Sequence, residues 1–294
     1  MRKIAFLIIF SLLTCMFSGC EVRTEGTDIA ATTLPVYQFT SMLCQGTDLT
    51  VTRLVTESVS CLHDYSLTVK QVKAIEAARL VVISGAGLED FMNHILEGKQ
   101  IIDSSQGIAP LDGCHDHAHE GHSHGDHDHQ VDPHIWLSAA NAKIMAENIC
   151  RGLCDAYPQL THIFEVNLAE LTGKLQALDA YGQQQLSSLS GQNLITFHDG
   201  FSYLAQAYDL TILAAVEEEA GSEVSSRKLI ELIELLRAHH ITAIFTETNG
   251  SDAAAGIIAR ETGVKRFALD MAMAGDDYFK AMYHNIDTLR EALQ

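Results

Sequence analysis

A chain of 294 residues, 47% hydrophobic and 19% charged, is long enough to bury the core of two domains or one large one. Its formal net charge of −19 argues against nucleic acid and against an anionic membrane surface as partners. The same charge is compatible with a cation as ligand.

The chain opens with MRKIAFLIIFSLLTCMFSGC, residues 1–20. Arg2 and Lys3 give a positive start, and the apolar run from Ile4 to Phe17 is short for a transmembrane helix, so the segment reads as an export signal. Phe17-Ser18-Gly19 before Cys20 resembles a bacterial lipobox, although Phe17 stands where Leu is usual. A lipoprotein signal peptide is therefore expected, with Cys20 acylated and the protein anchored by lipid to the cell membrane. That places it in the periplasm or on the outer face of the cytoplasmic membrane; ordinary secretion is the alternative. Residues 21–27 would be a polar tether. Export puts Cys44, Cys61, Cys114, Cys150 and Cys154 in a disulfide-permissive compartment. Cys44 and Cys61 flank one expected strand and could pair. Cys114 is the odd one out, and Cys150 and Cys154, four apart on a helix, are poorly placed to bridge.

Strand-like runs follow at 28–33, 48–55, 79–84 and 99–104, with helical patterns at 35–44, 68–78 and 88–97. After a histidine-rich tract comes a helical stretch, SAANAKIMAENICRGLCDAY. A proline-free segment from 159 to about 189 then carries Ile163, Val166, Leu168, Leu171, Leu175 and Leu178 near helical spacing. Alternation resumes with strands at 193–197, 210–216, 241–246 and 264–269. Strands alternating with helices predict an α/β protein with two parallel-sheet lobes joined by one long helix and a cleft between them. The expected division is an N-terminal lobe over 28–157 with a His-rich loop at 114–130, a linking helix over 158–190, and a C-terminal lobe over 191–294.

Seven histidines lie between 115 and 129: His115, His117, His119, His122, His124, His127 and His129. So dense a tract, spaced by Gly, Ser and Asp, has little apolar content to bury and suits weak metal binding on a loop. Open parallel sheets bind ligands beyond the carboxyl ends of their strands. His63 follows the strand at 48–55, and His134 follows the strand at 99–104 after the tract. His198 ends the strand at 193–197, and Asp270 ends the strand at 264–269. Three imidazoles and a carboxylate suit zinc. Glu247, ending the run at 241–246, could orient a ligand or bind the metal itself. His94, His162, His239, His240 and His284 follow no strand in this way. Asp199 and Asp270 could instead cap helices.

The segments SCLHDYSLTVKQVKAIEAARLVVISGAGLEDF, VDPHIWLS, TFHDGFSYLAQAYDL, GSEVSSRKLIELIELLRAHHITAIFTETN and the final LD resemble the zinc- and manganese-binding proteins of bacterial ABC importers. The resemblance runs from about residue 28 to the C-terminus. It implies a rigid linking helix, metal ligands at His63, His134, His198 and Asp270, and an ABC permease as partner. His198 is the zinc-type choice where manganese and iron members usually carry Glu, and zinc members commonly have a His-rich loop before DPH. LDMAMA replaces the usual LDPL, which leaves Asp276 and Asp277 as alternatives to Asp270.

The function expected is capture of Zn(II) and its delivery to a permease, by a monomer that is not an enzyme. The alternatives are a manganese or iron(II) member of the same family, and a zinc-dependent hydrolase with Glu247 as base. The absence of a compact HExxH-type motif disfavours the hydrolase.

Overall fold

The computed structural model describes residues 27–57, 62, 65–111, 131–217, 224–248, 250 and 253–294. The export segment with Cys20, the tether residues 21–26, Cys61, His63, Cys114 and the histidines at 115–129 lie outside the described residues. Among the described residues, no helix is long and apolar enough to cross a membrane.

Two parallel sheets carry the fold. The first is built from β1 (Ile29–Ala31), β2 (Val51–Arg53), β3 (Leu80–Ile83) and β4 (Gln100–Asp103), in the order β2-β1-β3-β4. The second uses β5 (Asn193–His198), β6 (Thr211–Glu217), β7 (Ala243–Glu247) and β8 (Lys265–Leu269), in the order β6-β5-β7-β8. The two lobes repeat one topology. In each, the chain leaves the first strand to one side and returns on the other. β1 and β5 therefore sit at the switch point, where open sheets leave room for a ligand.

Period-two alternation assigns the faces. Ile29 and Ala31 of β1, Leu80 and Val82 of β3, Leu194 of β5, and Ala243 and Phe245 of β7 belong to one central core. Ala30 and Val81 point instead to an outer cluster with Ile75, Met92 and Leu96. Ile195, Phe197 and Ile244 point to another with Leu232, Leu236 and Ile258. The central core thus runs through both lobes, and the helices between them complete it.

Those helices are α1 (Leu34–Leu43), α4 (Ala139–Ala156), α5 (Thr161–Leu186) and α9 (Tyr278–Leu293); α2 (Val69–Ala77) and the single turn α3 (Asn93–Leu96) lie between α1 and α4. In the C-terminal lobe α6 (Ser202–Ala207), α7 (Ser226–Ala238) and α8 (Ala253–Thr262) precede α9. The link between lobes is α5, 26 residues or about 39 Å at 1.5 Å per residue. Its buried line is Phe164, Leu171, Leu175, Leu178, Gly182 and Leu186. Val166, counted on the apolar face from spacing, is 57% exposed, because that face starts from Phe164 instead. Gly182 is a packing requirement: a Cβ there would lie 2.2 Å from the Tyr208 hydroxyl.

The helix expected over 88–97 is a 3-10 turn (Asp90–Met92) followed by the single turn α3. Glu89 explains the break. Its buried carboxylate accepts hydrogen bonds from the Thr32 hydroxyl (2.6 Å) and from the Ser84 and Gly85 amides (2.8 and 3.0 Å), which ties it to the ends of β1 and β3. Cys44 is a buried free thiol at the end of α1, and its expected partner Cys61 lies outside the described residues. It packs into the central core, and burial pushes its pKa up to about 12. Cys150 and Cys154 are also free.

Candidate metal centre

The site is set by strand parity. In β5, Leu194 faces the central core, so Thr196 and His198 share that face. In β7, Ala243 and Phe245 face inward and Glu247 follows in phase. His198 and Glu247, the last residues of adjacent strands, therefore meet. His198 Nδ1 lies 3.2 Å from Glu247 Oε1, with both side chains buried. Gly200 makes room for the ring: a Cβ there would come within 2.7 Å of His198 Cδ2, 2.9 Å of its Nε2 and 2.8 Å of Met271 Cε.

From the other lobe comes His134, which precedes a 3-10 turn (Ile135–Leu137) and is 2% exposed. Asp132 Oδ1 accepts the His134 backbone amide at 2.9 Å and sits 2.8 Å from its Nδ1. A carboxylate at that distance requires the proton on Nδ1, which leaves the lone pair on Nε2. Nε2 of His134 and the second oxygen of Asp132 are buried without a hydrogen-bond partner among the described residues. A buried acceptor left unmatched costs about 1–3 kcal/mol, so this pair suits a cation. The His134 and His198 rings stand 5.2 Å apart, centroid to centroid, and nearly perpendicular at 84°. Two imidazoles, one from each lobe, thus converge at the interface, each with a carboxylate at Nδ1.

Asp270 directly follows β8 and is held through its main chain. Its amide donates to Asn285 Oδ1 and its carbonyl accepts from Asn285 Nδ2, both at 2.7 Å, while its own Oδ1 accepts the Ala272 amide at 2.7 Å. The next residue, Met271, borders the same space at Gly200 as the His198 ring, and its carbonyl accepts the Trp136 indole N–H at 2.7 Å. Asp270 is therefore one residue from a side chain beside Gly200 and a carbonyl bound by Trp136. Asp277, one of the two alternatives, caps α9 by accepting the Phe279 and Lys280 amides, whereas Asp276 is exposed on the loop. His94, His162, His239, His240 and His284 are exposed as well.

His63 lies outside the described residues; its neighbour Leu62 is buried in the central core. Among the described residues no group of three or more His, Cys, Asp or Glu comes together closely enough to hold a metal ion. What the structure assembles is the His134–His198 pair with its carboxylates. Asp132, Gly200 and Asn285 were not singled out from sequence. Asp132 and Gly200 each stand two residues from a histidine and could have been suspected; Asn285 could not.

Two parallel α/β lobes joined by a long helix, with buried imidazoles meeting at their interface, define a cleft-type metal-binding protein. Residues 29–292 match the family described as ZnuA, zinc-uptake complex component A, periplasmic, and the chain belongs to that family of metal-binding proteins of ABC importers. Such proteins bind and carry their metal and are not enzymes, which removes the hydrolase alternative. Among curated relatives, the zinc-binding lipoprotein AdcA of Streptococcus pneumoniae serotype 4 (strain ATCC BAA-334 / TIGR4) is 29% identical over 313 residues. That alignment takes in 99% of this chain and 61% of the relative, so the chain spans about three fifths of AdcA's length. A crystal structure of ZnuA superposes with a TM-score of 0.77 at 27% identity, covering 90% of this chain and 99% of that one. The Zn(II)-bound ZnuA-like domain of Streptococcus pneumoniae AdcA gives a TM-score of 0.76 at 27% identity, covering 91% of this chain and 99% of that domain.

Proposed function

We propose that the protein captures Zn(II) outside the cytoplasm and delivers it to an ABC permease. The observation that carries this reading is the pair of buried imidazoles, one from each lobe, each with a carboxylate at Nδ1. Borderline-soft nitrogen donors favour zinc over manganese, and a histidine rather than a carboxylate at position 198 keeps the donor set nitrogen-rich. The zinc-bound AdcA domain and the zinc-binding AdcA lipoprotein support the same cargo. In this reading His63, His134, His198 and Asp270 bind the ion. Glu247 and Asp132 orient the imidazoles, and acylated Cys20 anchors the chain. The histidines at 115–129 hold further zinc weakly beside the cleft.

Metal analysis after competition with a calibrated chelator tests the reading, on the mature chain and on one lacking residues 115–129. One tightly held zinc per chain in both, with fewer weakly held ions after the deletion, is the expected outcome. Preference for manganese over zinc in direct competition would overturn the zinc assignment. Loss of the tight site on deletion would show that the tract supplies a primary ligand.

A further inference from the structure

The loop that follows Asp270 belongs by sequence to the C-terminal lobe, yet several of its polar partners come from the other one. Trp136 takes the Met271 carbonyl. Gln38 accepts the Tyr278 amide at 2.6 Å and donates to Asp277 Oδ1 at 3.3 Å. Tyr278 in turn donates its hydroxyl to the Trp136 carbonyl at 2.7 Å. Met271, Ala272 and Met273 are buried, and Ala272 and Gly275 adopt left-handed backbone, at φ 54° and 77°. A non-glycine residue held in that region needs external support.

The support centres on Arg53, the last residue of edge strand β2. Its guanidinium spends three separate N–H groups on three carbonyls: Nε on Val55, Nη2 on Met273 and Nη1 on Gly275, each at 2.6 Å. Val55 is buried at the point where the chain leaves the sheet toward His63, and Met273 and Gly275 lie three and five residues past Asp270. A planar fork with fixed donors can hold three such acceptors together; an ammonium on a flexible stem cannot.

We propose that Arg53 is a positioning residue that ties the loop after Asp270 to the end of β2, so that metal leaves the cleft only when its bonds to the Met273 and Gly275 carbonyls break. The inference rests on the capture reading for its consequence, though not for the contact itself. Arg53 touches no metal donor. Its loss should leave the ligand set intact and act on how long the ion stays.

The test compares wild type, Arg53→Met, which keeps an apolar stem, and Arg53→Lys. Zinc release into excess chelator, followed by stopped flow, should accelerate by roughly tenfold or more in Arg53→Met, as two charge-assisted hydrogen bonds are lost. Arg53→Lys should fall between the two, and it carries the test alone if Arg53→Met does not fold. The visible spectrum of the Co(II)-loaded protein should be the same in all three, since the donors are untouched. In metal-free protein, backbone hydrogen exchange over residues 271–276 should quicken in the variants. Release rates and exchange equal to wild type in a folded variant would overturn the proposal. A changed cobalt spectrum would also overturn it, by showing that Arg53 acts through the donor set. If wild type holds no zinc tightly, the capture reading fails on its own, and the exchange comparison still decides the role of Arg53.

Discussion

The two imidazoles that meet at the lobe interface are held in opposite ways. His134 is fixed by addition: Asp132 grips both its backbone amide and its Nδ1, within 2.9 Å, and Trp136 stands against its ring at 5.4 Å. His198 is fixed largely by subtraction. Its Nδ1 has the longer 3.2 Å contact to Glu247, and the space around its ring exists because Gly200 has no side chain. The N-terminal half of the site is therefore preorganised by bonds, and the C-terminal half by room to stand. Under the proposed capture role, this asymmetry would make His134 the anchor and His198 the part that yields.

Filling the room should do the most damage. Gly200→Ala places a methyl group under 3 Å from the His198 ring and Met271. Zinc affinity, measured by chelator competition, should fall by about 100-fold or more, at the upper end of losses from disturbed ligand support. Retained affinity would mean that His198 can shift without cost, and the contrast between the halves would fail.

Removing the bonds should separate the halves further. Asp132→Ala frees the His134 ring and leaves its amide unmatched, so affinity should drop about 10–100-fold. Glu247→Gln keeps an acceptor near His198 Nδ1 and should stay near the lower end of that range. The comparison reverses if the Glu247 variant loses more than the Asp132 variant.

Another effect concerns the frame of the N-terminal sheet, where Glu89 ties the ends of β1 and β3. Burial raises the Glu89 pKa to about 7, with Asp103 adding to it, against three hydrogen bonds that lower it. Between the ordinary carboxylate value of 4.5 and about 7 the folded chain binds more protons than the unfolded one. Glu89's contribution is therefore fully present below about 4.5 and is lost as pH rises through 7, by up to about 3 kcal/mol. Denaturant melts of the metal-free protein at pH 5 and pH 8 should show wild type losing stability relative to Glu89→Gln. Parallel curves for the two proteins would place the Glu89 pKa in its usual range.

The least effect is expected at Cys44. A thiol buried and raised to about 12 should resist alkylation in the folded protein at pH 8 and react only on unfolding. Rapid labelling would mean that this end of α1 opens.

Much of the architecture was legible because parallel strands announce themselves as short apolar runs between helical patterns, and all eight strands fall within or one residue beyond the expected spans. The strand-end rule also put His198 and Glu247 where parity brings them together. The rest depended on proximity that sequence does not carry. Asn285 clamps Asp270 from 15 residues away, and Arg53 reaches carbonyls 220 and 222 residues distant. Flanking a strand likewise says nothing about which way a side chain turns, and Cys44 turns into the core.

The central claim is that one ion is held between the lobes by ligands that include both His134 and His198. Zinc K-edge X-ray absorption of the chain lacking residues 115–129, loaded with one equivalent of Zn(II), counts the imidazoles directly. Multiple scattering should fit three imidazoles and one carboxylate oxygen, and the His198→Ala variant should fit one imidazole fewer. An unchanged imidazole count in that variant, or sulfur in the first shell of wild type, would contradict the account.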